Sequence, residues 1–112
     1  MSKADGYESQ ILNLLLAAKP IANVADNAAS SPLTALSISL HTADPTDAGS
    51  QVSNEATYGG YLRVLTTRST VGWVVSSGSS SPVTSITFSQ ANTTSTSTIT
   101  HFGIGPSTAG AG

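Results

Sequence analysis

Residues 36–41 read Leu36, Ser37, Ile38, Ser39, Leu40, His41, with apolar and polar side chains alternating at every position. A period of two puts Leu36, Ile38 and Leu40 on one face of an extended chain and Ser37, Ser39 and His41 on the other. The expectation is a half-buried β-strand whose apolar face points inward. Asp44, Pro45 and Gly49 follow as a turn, because proline fixes φ and glycine can take positive φ. Residues 53–58 suit one short helical turn, broken by Gly59 and Gly60. Further strands are expected over 61–68, where Leu62 and Val64 oppose Tyr61, Arg63 and Leu65, and over 73–75. Two more are expected over 85–89, around Ile86 and Phe88, and over 98–104, with Phe102 and Ile104 on one face. Residues 76–82 read as a flexible, hydroxyl-rich loop. Short strands parted by Gly, Ser and Pro predict a mainly β fold, an antiparallel β-sandwich or barrel-like domain.

Upstream the period changes. Asp5 and Glu8 have the spacing of a capping box. Tyr7, Ile11, Leu14, Leu15 and Ala18 recur at helical spacing and form one apolar face. Lys19 suits the C-terminal end of the helix dipole, and Pro20 stops the helix. The reading is one N-terminal α-helix over 5–19, an irregular connection over 20–34 and a β domain over 36–105, all within a single domain, 1–112. An amphipathic helix of about 12 residues is marginal alone in water, so it must dock.

The composition agrees with a folded chain of unusual surface. Of 112 residues, 19 are Ser and 15 are Thr, while charged residues make up 9%, against about 25% in ordinary soluble domains. A hydrophobic content of 38% with net charge −2 is unlike a disordered segment. Hydroxyls cover the surface in place of ions, which suits contact with other proteins because little charge is desolvated. Four Lys and Arg residues in total cannot build a phosphate-tracking stripe, so direct nucleic-acid binding is not expected. The absence of cysteine excludes disulfides, thiolate metal sites and thiol catalysis. No apolar run reaches the roughly 18 residues of a membrane span, and residues 11–18 read as a folded helix in preference to a signal-peptide core.

Candidate chemistry is thin. His41, Asp44 and Asp47 are a chemically sensible ligand set, but Asp44 before Pro45 is an ordinary turn opener, and no metal or cofactor is expected. His41 or His101 could orient a serine, and Asp44 with Glu55 could form a carboxylate pair, yet no spacing selects either. Gly59 and Gly60 are followed by neither a lysine nor a helix, so they read as a tight bend between Tyr58 and Tyr61. Arg63 and Arg68 are expected to pair with acids or to cover apolar surface with their stems. Trp73 is a core anchor or, in the sharper reading, a subunit-contact residue. The candidate structural and contact residues are Ile11, Leu14, Leu15, Tyr58, Gly59, Gly60, Tyr61, Arg63, Trp73 and Phe102; no catalytic residue is among them.

Four segments carry a resemblance: residues 40–45 (LHTADP), residues 54–61 (NEATYGGY) with Arg63 two positions on, Gly72 with Trp73, and residues 100–105 (THFGIG). In this order and spacing the chain resembles a family of small bacteriophage structural proteins, labelled tail-fibre-like or head-associated. The resemblance implies a virion component with no enzymatic activity, assembled in the bacterial host cytoplasm; members of the family continue past the last matched segment with further strands, whereas this sequence departs from that pattern after Gly105. The expected role is a capsid decoration (cement) protein on the major capsid protein lattice. The alternative is a tail or tail-fibre component, and the remote alternative a small hydrolase. Expected partners are other virion proteins and further copies of the chain, with no membrane involved.

Overall fold

The computed structural model describes residues 5–21, 32–95 and 97–111. The fold is mainly β, with two antiparallel sheets and one short N-terminal helix, as the sequence predicts. The elements are α1 (Asp5–Leu16), β1 (Ala35–His41), β2 (Val64–Thr67), β3 (Trp73–Ser76), β4 (Ser79–Pro82) and β5 (His101–Gly105). One sheet has the order β2-β1-β5, the other is the hairpin β3-β4, and neither closes into a barrel among the described residues. The chain forms two compact units: Met1–Ala35 with Thr66–Ser85, and Leu36–Leu65 with Ile86–Gly112.

In the first unit α1 packs on both strands of the hairpin. It ends at Leu16, ahead of Lys19 and Pro20, and carries no basic residue in its last turn. Ala18 takes the left-handed conformation (φ 55°) and turns the chain back. The Asn13 carbonyl then accepts the amides of both Ala17 and Lys19, each at 3.0 Å. The cation at this helix end is Arg68, which donates from Nη2 to the Leu14 carbonyl and from Nε to the Leu15 carbonyl, each at 2.6 Å. These are orphan acceptors of the last turn, so Arg68 supplies the cap that the sequence suggested for Lys19. Ala17 is buried, whereas Leu15, counted on the apolar face, is 54% exposed. The side chains of Asp5 and Tyr7, and with them the capping box, lie outside the described residues, as does most of the 20–34 connection.

The stretch 76–82, expected as a loop, is the second half of a hairpin. Trp73 pairs with Pro82, and Ser76 with Ser79 across a two-residue turn. Ser77 (φ 49°) and Gly78 (φ 74°) both have positive φ, the type I′ pattern whose twist matches that of the strands. Gly78 also donates its amide to Ser9 Oγ of α1 at 2.9 Å. Trp73 is buried and anchors this unit, with its indole N–H finding no hydrogen-bond partner among the described residues, which offsets part of the gain from that burial.

In the second unit β1 pairs antiparallel with β5, Ile38 beside Ile104 and Leu40 beside Phe102. The alternation of 36–41 is real, but the strand is buried on its polar face as well: Ser37, Ser39 and His41 are at most 1% exposed. On the other face Ile38 is buried while Phe102 and Ile104 are exposed. Other expected elements shift as well, the last strand from 98–104 to His101–Gly105 among them. Residues 85–89 form no strand, and β2 starts only at Val64. The helical turn expected over 53–58 lies earlier, with Ser53 bonded to the Ser50 carbonyl and Glu55 to that of Val52. Beyond Gly105 the described residues form no further strand.

Candidate functional site

The second unit is organised by one ion pair. Glu55 lies just after a tight turn, where Asn54 takes left-handed φ (55°), a conformation Asn tolerates better than most residues. The Asn54 carbonyl accepts the Thr42 amide at 2.8 Å, its carboxamide donates to the Asp44 carbonyl at 3.1 Å, and Glu55 bridges to His41. Glu55 is thereby held against β1. Arg63 meets it with a two-pronged contact, Nε to Oε1 at 2.6 Å and Nη2 to Oε2 at 2.8 Å. The Arg63 side chain is 3% exposed and that of Glu55 16%. The Tyr61 hydroxyl donates to Glu55 Oε1 at 2.9 Å and accepts the Leu40 amide at 3.0 Å. The hydrogen bonds from Arg63 hold the Glu55 carboxyl below the ordinary carboxylate range, opposed by burial. Burial, first of all, pushes the Tyr61 phenol up.

Arg63 has donors left over, and they hold residues 106–111 as a strap. Nη1 donates to the Ser107 carbonyl at 2.9 Å and Nη2 to the Gly110 carbonyl at 2.8 Å. Gln51 grips the same strap. Its Oε1 accepts the Ser107 amide at 3.1 Å, and its own amide donates to the Ala111 carbonyl at 3.1 Å. Gln51 Nε2 donates to Ser37 Oγ at 2.8 Å, which donates in turn to the Ser107 carbonyl at 2.5 Å. Residues 106–111 are therefore held through their backbone by Ser37, Gln51 and Arg63.

Behind β1 the polar face is fully satisfied. His41 Nδ1 lies 2.8 Å from the Ser53 carbonyl, which can only accept, so that nitrogen carries the proton. In the neutral ring Nε2 is then the acceptor for the Ser39 hydroxyl at 2.9 Å. A serine, an imidazole and an orienting acceptor are the parts of a nucleophile. Here, however, Ser39 has no exposed surface. Gly103 lies across both side chains, so close that a Cβ there would fall 2.9 Å from His41 Nε2 and from Ser39 Oγ. The pair is a sealed piece of core. Gly105 approaches the Gln51 amide more closely still. The alternation Phe102, Gly103, Ile104, Gly105 thus presses bare backbone onto the polar network and turns the two large apolar side chains outward.

The sequence-derived candidates fall into two groups. Tyr58, Gly59, Gly60, Tyr61 and Arg63 gather in the second unit. Gly60 has φ 88°, and the Gly59 carbonyl accepts the Asn92 amide at 3.0 Å. Tyr58 and Tyr61 meet edge to face at 5.3 Å, and Tyr61 stacks on Phe88 at 6.3 Å. Phe102, in the same unit, is 69% exposed. Ile11, Leu14, Leu15 and Trp73 belong to the first unit, where Trp73 is core. Of the two arginines, Arg63 pairs with an acid and Arg68 reaches backbone carbonyls. Asp44 serves its turn, accepting the Thr46 amide at 2.8 Å. Ser37, Ser39, His41, Gln51 and Glu55 did not stand out as a site. The available signal was the pairing of a Ser, Ser, His alternation with a Gly, Gly alternation in the last strand.

A family model described as podophage GP4 fiber I protein gp80 matches residues 10–111. The chain belongs to this family of phage fibre proteins. It is a bacteriophage virion structural protein, in agreement with the resemblance drawn from its sequence. No curated protein and no solved structure matches it. The gp80 match takes in Glu55, Arg63, the polar network and the strap up to Ala111, so the whole site lies within the family's span.

Proposed function

We propose that the protein is a tail-fibre component of the phage particle, associating with other virion proteins through exposed apolar and hydroxyl-rich surface. The family match over residues 10–111 carries this reading. It favours the fibre over the capsid lattice, the role expected from the sequence. Low charge and an internally bonded polar core fit a part that works by standing in an assembly. The sealed Ser39 and His41 pair contributes rigidity, and no reaction is assigned to it.

The test is location in the particle. Gold-labelled antibody against the protein, with cryo-electron microscopy of intact virions, should place it on the fibres in a few to tens of copies. Hundreds of copies spread over the capsid would overturn the fibre reading in favour of decoration. Absence from purified particles by mass spectrometry would overturn both.

A further inference from the structure

β5 is the edge of its sheet, with β1 on one side and no strand on the other among the described residues. Natural edge strands defend themselves with lysines, prolines, bulges or covering segments. β5 reads His101, Phe102, Gly103, Ile104, Gly105 and has no charged residue and no proline. Phe102 is 69% and Ile104 43% exposed, both on the face they share with Leu40 and Ile38 of β1. The inward face cannot accept a change, because Gly103 and Gly105 lie against His41, Ser39 and Gln51. An apolar face therefore runs from the central strand to the open edge and stops there.

We propose that this edge pairs with β5 of a second copy, antiparallel and centred on Gly103, joining two three-stranded sheets into one of six strands. The choice of partner follows from the strand itself. Antiparallel pairing about Gly103 sets Phe102 opposite the partner's Ile104 and Ile104 opposite the partner's Phe102. An aromatic side chain beside a β-branched one is a favourable cross-strand pair. His101 falls opposite the partner's Gly105, which leaves it room. Gly103 meets the partner's Gly103, so nothing bulky stands at the two-fold axis. No charge is buried and no like charges oppose each other. The strand has nothing ionic with which to select a different protein, whereas it is complementary to itself. The contact is isologous and closes at two copies.

The pairing does not depend on where in the particle the protein sits, so its failure and that of the fibre reading are separable. The purified chain should sediment at twice the monomer mass, with the dimer fraction rising with concentration. Phe102→Lys should reduce it to monomer with unchanged circular dichroism. Val71→Lys, at an apolar position 78% exposed in the other unit, should leave the dimer intact. The register has its own test, since the chain contains no cysteine. On mild oxidation, a mixture of Phe102→Cys and Ile104→Cys copies should cross-link at least several-fold faster than either variant alone. Wild-type protein that stays monomeric at every concentration overturns the proposal, as does a Phe102→Lys variant that remains dimeric. Equal cross-linking in the mixture and the single variants overturns the register.

Discussion

The guanidinium of Arg63 and the carboxylate of Glu55 lie edge to edge at 2.6 and 2.8 Å, and the same guanidinium holds the carbonyls of Ser107 and Gly110. One side chain thus joins the turn before Ala56 to the strap. Removing one member of this part-buried pair leaves the other without compensation, at about 1–3 kcal/mol. Arg63→Met should lower stability by that order in urea denaturation. Arg63→Lys should recover only a minor part, because an ammonium cannot make the fork and reach two carbonyls. In both variants amide exchange at Ser107 should rise well before that of β1.

Acid should loosen the same unit. The folded carboxyl of Glu55 titrates below its unfolded value, so its contribution is fully present above the unfolded carboxylate range, near pH 4–5. It is lost as pH falls through the lower, folded value. Thermal melting followed from pH 7 downwards should show this loss. Glu55→Gln should start less stable at pH 7 and show a shallower decline in acid. An identical decline in the two proteins would assign the acid sensitivity to other carboxylates.

The glycines should rank by what a methyl group meets. Gly105→Ala drives a Cβ onto the Gln51 amide, which cannot move without releasing Ser37 and Ser107. Overpacking of this kind costs about 1–3 kcal/mol. Gly103→Ala should fall in the same range, through Ser39 and His41. Gly60→Ala should cost about 1 kcal/mol, from its positive φ. The midpoints of chemical denaturation should follow that order, with Gly60→Ala the mildest.

Two substitutions should stabilise. Ala18 and Ser77 hold left-handed φ without being glycine or asparagine. Ala18→Gly relieves a strain of about 1–2 kcal/mol, partly offset by the greater freedom of unfolded glycine. Ser77→Asn places Asn before Gly78, the favoured pair for a type I′ turn. Each should raise the melting midpoint by a few degrees, and the two should add, since they act at separate turns.

The alternation at 36–41 located a strand correctly and missed that its polar face is buried along with Ile38. Periodicity states which side chains share a face; which face is buried depends on what is laid against it. Here the covering elements are the turn carrying Gln51 and two glycines of β5, and polar groups meeting in that way satisfy one another. The β3-β4 hairpin was hidden for a related reason. Its second strand is almost all serine, so neither hydropathy nor β-propensity marks it, and only the Ser77, Gly78 pair between matched ends betrays the turn. Residues 85–89 show the converse, a strand-like pattern around Ile86 and Phe88 that finds no partner strand. Phe88 spends its apolar surface on Tyr61 instead. Glu55 and Arg63 stood eight positions apart in plain view, yet charge spacing outside a helix carries no register, so their meeting was legible only in three dimensions.

The cap on α1 sets an order of events during synthesis. The guanidinium that holds the Leu15 carbonyl belongs to a residue 53 positions later in the chain. A nascent chain that has not yet reached Arg68 therefore lacks the group that closes the end of α1, and a segment of this length holds little helix on its own. The ribosome must release residue 68 and the hairpin beyond it before the first unit can set. The second unit waits longer, because Arg63 and Gln51 find their carbonyls only when residues 107–111 emerge. Each unit is opened by earlier residues of the chain and completed by later ones, so neither sets until its later segment has emerged.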